Sequence, residues 1–402
     1  MVLSEKLKNN KYLVLTLLFA LLNMAAIFLI FGFQLRGDSQ SWIDLIHWFS
    51  GQGNEVSPIR IIRPLGPLIA VPFEFLGAGA GLIVQNIIFY LLCAFLMFKI
   101  TELIYHDRKQ AFLASLFFVA SPTIIQYGLS YLVDTGAWFF NLLSIFLTLL
   151  YFYPVKSDSP SEIVPKAISP GQVGAEQFNR VKNKDERLVI LNGFLSGMGV
   201  LMKENGGLGV LFFGMMILFS KEFGIRDKIS KIIRFGVFFV IPIAIVQILA
   251  FKYFHFTYLD LYAAGGAATR GSSLSLIYLE YLGQFIGVLG ILWIFFFIGL
   301  WRELLEKNKE RLKIYLALTP PSLSFVFWSI EAGSRLLFIF APLGILLATR
   351  GIVFLADKLG KKRGALMITS VFLMVLILNY AFSWINPRYQ FVEIIAKFLG
   401  VL

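Results

Sequence analysis

Long apolar runs alternate with short polar stretches from one end of the chain to the other. Runs long enough to cross a bilayer lie near residues 12–33, 80–104, 110–128, 131–151, 235–254, 277–300, 313–330, 335–356 and 365–384. About 20 apolar residues span the hydrocarbon core as a helix, the one local structure that satisfies all its own backbone groups there. The stretch 188–220 is interrupted by "KENGG" at 203–207 and reads as two short crossings that meet at the far face. The pattern predicts an all-α, polytopic transmembrane fold of about 11 spans, with residues 1–402 as one transmembrane domain. No cleavage pattern follows the first run, so it is expected to stay as an anchor.

Composition agrees with this reading. With 58% hydrophobic residues, 15% charged residues and a mean hydropathy of +0.76, the chain carries too little charge for a soluble domain. The lone cysteine, Cys93, lies in an apolar run, so there is no disulfide framework. The net charge of +12 would suit a nucleic-acid partner, but its distribution points elsewhere. With the N-terminus in the cytoplasm, 27 of the 36 Lys and Arg residues fall in inner segments and 9 outside. The positive-inside rule then places the N-terminus inside and the C-terminus outside, and no nucleic-acid partner is expected. The inner loop 152–187, rich in Pro, Ser and charge, is expected to be a flexible linker without a packed core. "GAGAG" at 77–81 opens a span and does not follow a strand, so it reads as close helix packing and not as a dinucleotide fingerprint.

Candidate chemistry gathers on the outer side. The first extracytoplasmic loop, 34–79, holds "GDSQSWIDLIHWF", whose apolar residues Trp42, Ile43, Ile46, Trp48 and Phe49 suggest an interfacial helix dipping into the headgroups. Asp38 follows Gly37 directly after the first span and is held at the membrane surface. Asp44 lies six residues on, on another side of the helix, and with His47 it is a candidate only for acceptor contact or a lid. "RIIRPLGPLIAVPFEFLG" is too short and Pro-broken to span; it presents Arg60 and Arg63, whose guanidinium forks suit phosphate. Asp134 is placed about one turn inside the hydrocarbon edge, where an ionised carboxylate needs a cation, a hydrogen-bond network or a polar cavity. Lys203 at the tip of the 188–220 hairpin and Arg335 at the start of a late span face the same side. Arg270, in the outer loop "LYAAGGAATRGSSLS", is a candidate lid residue. Together these residues suit a carboxylate base beside a phosphate-binding cluster.

In this arrangement the chain resembles the GT-C superfamily of integral-membrane glycosyltransferases, nearest the branch of protein O-mannosyltransferases and lipid A aminoarabinose transferases. The likeness is carried, in order, by "GDSQSW", "RPLGPLIAVP", "SP" followed twelve residues later by Asp134, "GMGVLMKENGG" and "SRLLFIFAPLGILLA". It implies a sugar donor linked through phosphate to a polyprenol or dolichol, as in dolichyl phosphate mannose, and a glycan, lipid or protein acceptor outside the cytosol. It also implies that Asp38 takes the place of the catalytic aspartate and Asp134 that of a second acid, with Lys203 and Arg335 near the donor phosphate. Asp38-Ser39 stands where an acid pair is common, and Leu336 where an aromatic is common. A cofactor is therefore not implied firmly, and a divalent ion held by Asp38 and Asp134 stays open.

Chemistry supports the same expectation. Nucleotide sugars are cytoplasmic, so an outward-facing transferase needs a sugar carried across on lipid. Arg and Lys stabilise the leaving phosphate while a carboxylate removes the acceptor's proton, and direct displacement inverts the anomeric centre. The expected activity is hexosyl or pentosyl transfer in the plasma (inner) membrane, serving the cell envelope. The competing expectation is a secondary transporter or lipid flippase, for which midplane ionisable groups and repeats are the usual signs.

Overall fold

The computed structural model describes residues 10–35, 38–53, 56–77, 79–154, 186–261, 263, 284–324 and 334–385. Among them there is no strand. Arg270, most of the 152–187 linker and the C-terminal tail lie outside the described residues.

The first long helix, α1 (Lys11–Phe31), is followed by a connecting stretch that holds three short helices: α2 (Ser39–Phe49), α3 (Pro58–Ile61) and α4 (Leu65–Ala70). A 3-10 turn, Val71–Leu76, leads to α5 (Ala80–Tyr105) and α6 (Arg108–Val119). A π turn, Ile124–Gly128, precedes α7 (Asp134–Phe152). The hairpin is α8 (Glu186–Met202), a 3-10 turn Glu204–Gly207 and α9 (Gly209–Phe219). Then come α10 (Ile225–Phe254), α11 (Leu292–Glu306), α12 (Lys309–Leu323), the short α13 (Ser334–Leu337), α14 (Ala341–Leu359) and α15 (Lys361–Ile385).

Six helices among the described residues are long and apolar enough to cross a membrane: Lys11–Phe31, Ala80–Tyr105, Asp134–Phe152, Ile225–Phe254, Arg335–Leu359 and Lys361–Trp384. The chain is an integral membrane protein. The remaining helices are shorter, so the count of about 11 spans stays an expectation. Three boundaries differ from the hydropathy reading. Helix α10 begins ten residues before the apolar run, because the basic stretch 225–234 continues the same helix into polar surroundings. The run at 110–128 ends as a helix at Val119, and the rest is the π turn. The run read from 131 becomes helical only at Asp134.

Small residues and buried amides hold the bundle together. A Cβ at Gly81 would collide with the carbonyl oxygen of Ala70, which locks α5 onto α4 and accounts for the last glycine of "GAGAG". Gly299 and Gly351 let α11 and α14 touch backbone to backbone. Asn23 of α1 donates to Tyr90 Oη and to the Val119 carbonyl, both at 3.0 Å, and accepts from Tyr380 Oη at 2.9 Å. That side chain ties α1 to α5, α6 and α15 where lipid offers no alternative partner.

The end of α11, the start of α12 and the middle of α14 meet in a separate ionic cluster. Glu303 is fully buried, with Arg311 at 2.9 Å and Arg350 at 2.9 Å; Glu306 lies against Arg350 at 2.5 Å and Arg302 at 2.7 Å. Arg335 and Arg350 are fifteen residues apart on nearly continuous helix, about 22 Å of rise. This cluster and the one around Arg335 are therefore well separated along the same helical segment.

Candidate active site

Asp38 is the N-cap residue of α2, yet its side chain caps nothing. An N-cap aspartate ordinarily accepts from the helix's free amides. Here the carboxylate turns away and meets Arg60 at 3.0 Å through one oxygen and Arg335 at 3.4 Å through the other. Arg60 is itself fixed: its Nε donates to Ser41 Oγ at 2.9 Å, Ser41 donates to the Asp38 carbonyl at 2.8 Å, and the guanidinium lies 4.6 Å from the centre of the Trp42 ring. Burial opposes ionisation of Asp38, but the attraction of Arg60, then of Arg335 and Lys203, overcomes it. The carboxyl is held below the usual carboxylate range.

Trp42 explains a correction. The aromatic and aliphatic face of α2 was expected in the headgroups. Trp42 is only 1% exposed, and Ile43, Leu45 and Ile46 are buried with it against the protein. The helix packs on α4 and serves as the floor under Arg60; Trp48 and Phe49 are partly buried on the same core.

Asp134 is the first residue of α7 and 1% exposed. It stands at the helix start, where the macrodipole favours a carboxylate. Its position is set by the residues around it. Asn86 donates at 2.7 Å to the carbonyls of both Ser130 and Leu132, and Thr135 donates to the Gly128 carbonyl at 2.6 Å, pinning the turn that delivers Asp134. Lys203 donates to Asp134 Oδ1 at 2.5 Å, and Arg335 approaches Oδ2 at 3.7 Å. Lys203 is 9% exposed, so it is not a tip in water.

Arg335 thus touches both acids. Residues contributed by α2, α3, α7, the hairpin tip and α13 converge although they lie up to 297 positions apart in the chain. Arg63 reaches the tip by another contact, an ion pair with Glu204, so it is committed to a protein acid next to Lys203. Two expected contributors stay apart from this cluster. Asp44 accepts from Gln40 at 2.8 Å, one turn earlier on α2. His47 pairs with Glu74 at 3.0 Å and ties α2 to the 3-10 turn. Arg270 is outside the described residues. Glu204, Trp42 and Asn86 were not singled out by sequence as site residues. A lone amide in the apolar run "LIVQNIIFYLL" was the available signal for Asn86.

No family model matches the sequence, and no curated protein matches it. Solved structures do. The archaeal oligosaccharyltransferase AglB from Archaeoglobus fulgidus, in complex with an inhibitory peptide and a dolichol-phosphate, superposes with a TM-score of 0.57 at 13% identity, over 96% of this chain and 56% of that one. An Archaeoglobus fulgidus oligosaccharyltransferase tethered to an acceptor peptide containing the NVT sequon gives 0.55 at 13% identity, over 96% and 55%. Its apo form gives 0.55 at 13% identity, over 96% and 56%.

The chain shares the fold of the matched part of these structures. It spans little more than half the length of those chains, and at this identity the likeness concerns architecture alone. Within this fold, the acids and cations described above lie between the loop after α1, the start of α7 and the start of the last long helical segment but one. Among the described residues, no group of three or more His, Cys, Asp or Glu side chains is arranged to hold a metal ion.

Proposed function

We propose that this protein is a glycosyltransferase. It moves a hexosyl or pentosyl unit from a polyprenyl-phosphate donor to a glycan, lipid or protein acceptor on the extracytoplasmic face of the plasma (inner) membrane. The N-terminus is cytoplasmic, and residues 1–402 act as a single transmembrane unit. The observation that carries the reading is Asp38: an ionised, partly exposed carboxylate that leaves its capping role to stand between two arginines.

The site's charges fit the reaction. A phosphodiester entering beside Arg60 and Arg335 takes over part of their positive field. Asp38 then loses some of the stabilisation that keeps it a weak base, and its affinity for the acceptor's hydroxyl proton rises as the donor binds. As the sugar–phosphate bond breaks, charge grows on the leaving oxygen, and the guanidiniums meet it without reorganising because Ser41 and Trp42 already hold Arg60. Lys203 and Asp134 form the buried foundation beneath. Direct displacement needs one base and no protein nucleophile, so the product is inverted at the anomeric carbon. The neighbouring oligosaccharyltransferases, one seen with a dolichol-phosphate and one with an acceptor peptide, support a lipid-borne donor.

The test incubates the purified protein with radiolabelled polyprenyl-phosphate sugars and a cell-envelope extract. Label in a new product is the expected result. No transfer from any donor, together with substrate flux in liposomes, overturns the reading in favour of a transporter.

A further inference from the structure

A GT-C site with two acids invites a divalent ion between them, and a related fold has been seen with Zn and sulfate at 15% identity and a TM-score of 0.51, over 95% of this chain and 52% of that one. The donor set here does not fit one. Both Asp38 oxygens already face cations, Arg60 at 3.0 Å and Arg335 at 3.4 Å. One Asp134 oxygen holds Lys203 at 2.5 Å; the other accepts no hydrogen bond and faces Arg335 at 3.7 Å. The next acid, Glu204, is engaged by Arg63. Two carboxylates against Arg60, Lys203 and Arg335 leave one positive charge in excess. A divalent ion would have to settle within about 2.5 Å of these oxygens with three cations alongside, and among the described residues no third carboxylate or imidazole is grouped with them to complete its shell.

We infer that Arg335, as a single fixed positive charge, occupies the position a shared divalent ion would take between Asp38 and Asp134. Its guanidinium has five donors in a rigid fork, enough to bridge two carboxylates. A metal ion would exchange ligands with solvent and depend on its concentration outside the cell. A guanidinium delivered on α13 is fixed in stoichiometry and comes with the helix. The arginine is thus the electrophile of the site as well as a link between its two acids. Any phosphate that binds is met by protein cations alone.

This deepens the transferase reading and rests on it for the rate measurement, but not for the binding measurement. The binding probe is Mn²⁺ alone, followed by electron paramagnetic resonance on the full-length protein in detergent. The wild type is expected to bind no Mn²⁺ with a Kd tighter than about 1 mM in a manner sensitive to Asp134→Asn. Stoichiometric Mn²⁺ binding that Asp134→Asn or Asp38→Asn abolishes overturns the inference, whatever the protein catalyses. The rate measurement compares transfer in EDTA with transfer in added Mn²⁺, where less than about a twofold difference is expected. Transfer that falls more than about tenfold in EDTA and returns with Mn²⁺ overturns the metal-free site while leaving the transferase reading intact. Absence of transfer altogether counts against the function and leaves the Mn²⁺ result to decide this inference. Arg335→Lys separates charge from shape. A single ammonium cannot bridge both acids, so the substitution is expected to lower kcat at least about tenfold with donor KM changed less. Equal activity in Arg335→Lys overturns the bridging role.

Discussion

The Lys203–Asp134 pair offers a quantitative test of how the site is held. With the ammonium 2.5 Å from the carboxylate, an effective dielectric near 20 gives an attraction of about 7 kcal/mol before desolvation. Desolvation of both charges cancels most of that, and replacing a buried pair outright is often neutral. Removing one partner is different. Lys203→Met strands the Asp134 carboxylate, 1% exposed, with Arg335 at 3.7 Å as its remaining cation. Breaking a buried pair ordinarily costs about 3–5 kcal/mol, and the residual Arg335 contact puts the expected loss near the low end, about 3 kcal/mol. Asp134→Asn, which strands Lys203, is expected to cost a similar amount. The double variant Lys203→Met/Asp134→Asn strands neither charge and is expected to lie within about 1 kcal/mol of wild type. Reversible unfolding of the detergent-solubilised protein by SDS titration gives the three free energies, and the cycle isolates the coupling. Single losses that simply add in the double variant, to within about 0.5 kcal/mol, would refute the claim that the two side chains form one buried unit.

Other outcomes follow from the same geometry. Because its neighbours hold Asp38 below the usual carboxylate range, the base stays ionised as acidity increases past pH values where a free aspartate protonates, about 3.9. The acid limb of kcat/KM is expected below that value; the stability contributed by its ion pairs is fully present above it and is lost as pH falls through the lowered pKa, so an acid limb assigned to Asp38 near pH 6 would contradict the site. Arg60→Lys keeps the charge but loses the fork and the full guanidinium–Trp42 contact; donor KM is expected to rise about tenfold in steady-state kinetics, and an unchanged KM would remove Arg60 from the phosphate site. In the second ionic cluster, Arg350→Met leaves Glu303, fully buried, with Arg311 as its remaining partner, and a loss of about 2–4 kcal/mol is expected in the same SDS unfolding assay. Donor binding measured on the surviving folded fraction should be unchanged, since that cluster lies about 22 Å along the helix from Arg335.

Hydropathy and charge made much of the fold legible. The run at 80–104 is α5 almost to the residue, and "KENGG" does separate two short helices at a turn. Hydropathy failed where backbone geometry changes without a change in polarity. The π turn at 124–128 is as apolar as the helix before it, so Pro122 alone marks where α6 ends and nothing in composition marks why α7 waits until Asp134. The acids and cations were legible because charge near an apolar run needs a partner. Their pairing was not, since Arg335 and Asp38 meet only through the packing of helices distant in sequence. The same limit misplaced Trp42: amphipathic spacing says that one face of α2 is buried, but not whether lipid or protein buries it. It also left Arg63 in the phosphate set, with no sign that Glu204 would take it.

The central claim is that Asp38 acts in the chemistry and the arginines around it bind the phosphate. Asp38→Asn separates the two directly, since it removes the base while leaving Arg60 and Arg335 in place with one fewer acid to satisfy. Transfer of radiolabelled sugar should fall by about 10²–10⁴-fold, the usual contribution of a general base. Binding of polyprenyl phosphate to the same purified variant should be unchanged or tighter. Transfer at the wild-type rate in Asp38→Asn, or lipid-phosphate binding lost along with activity, would contradict the account.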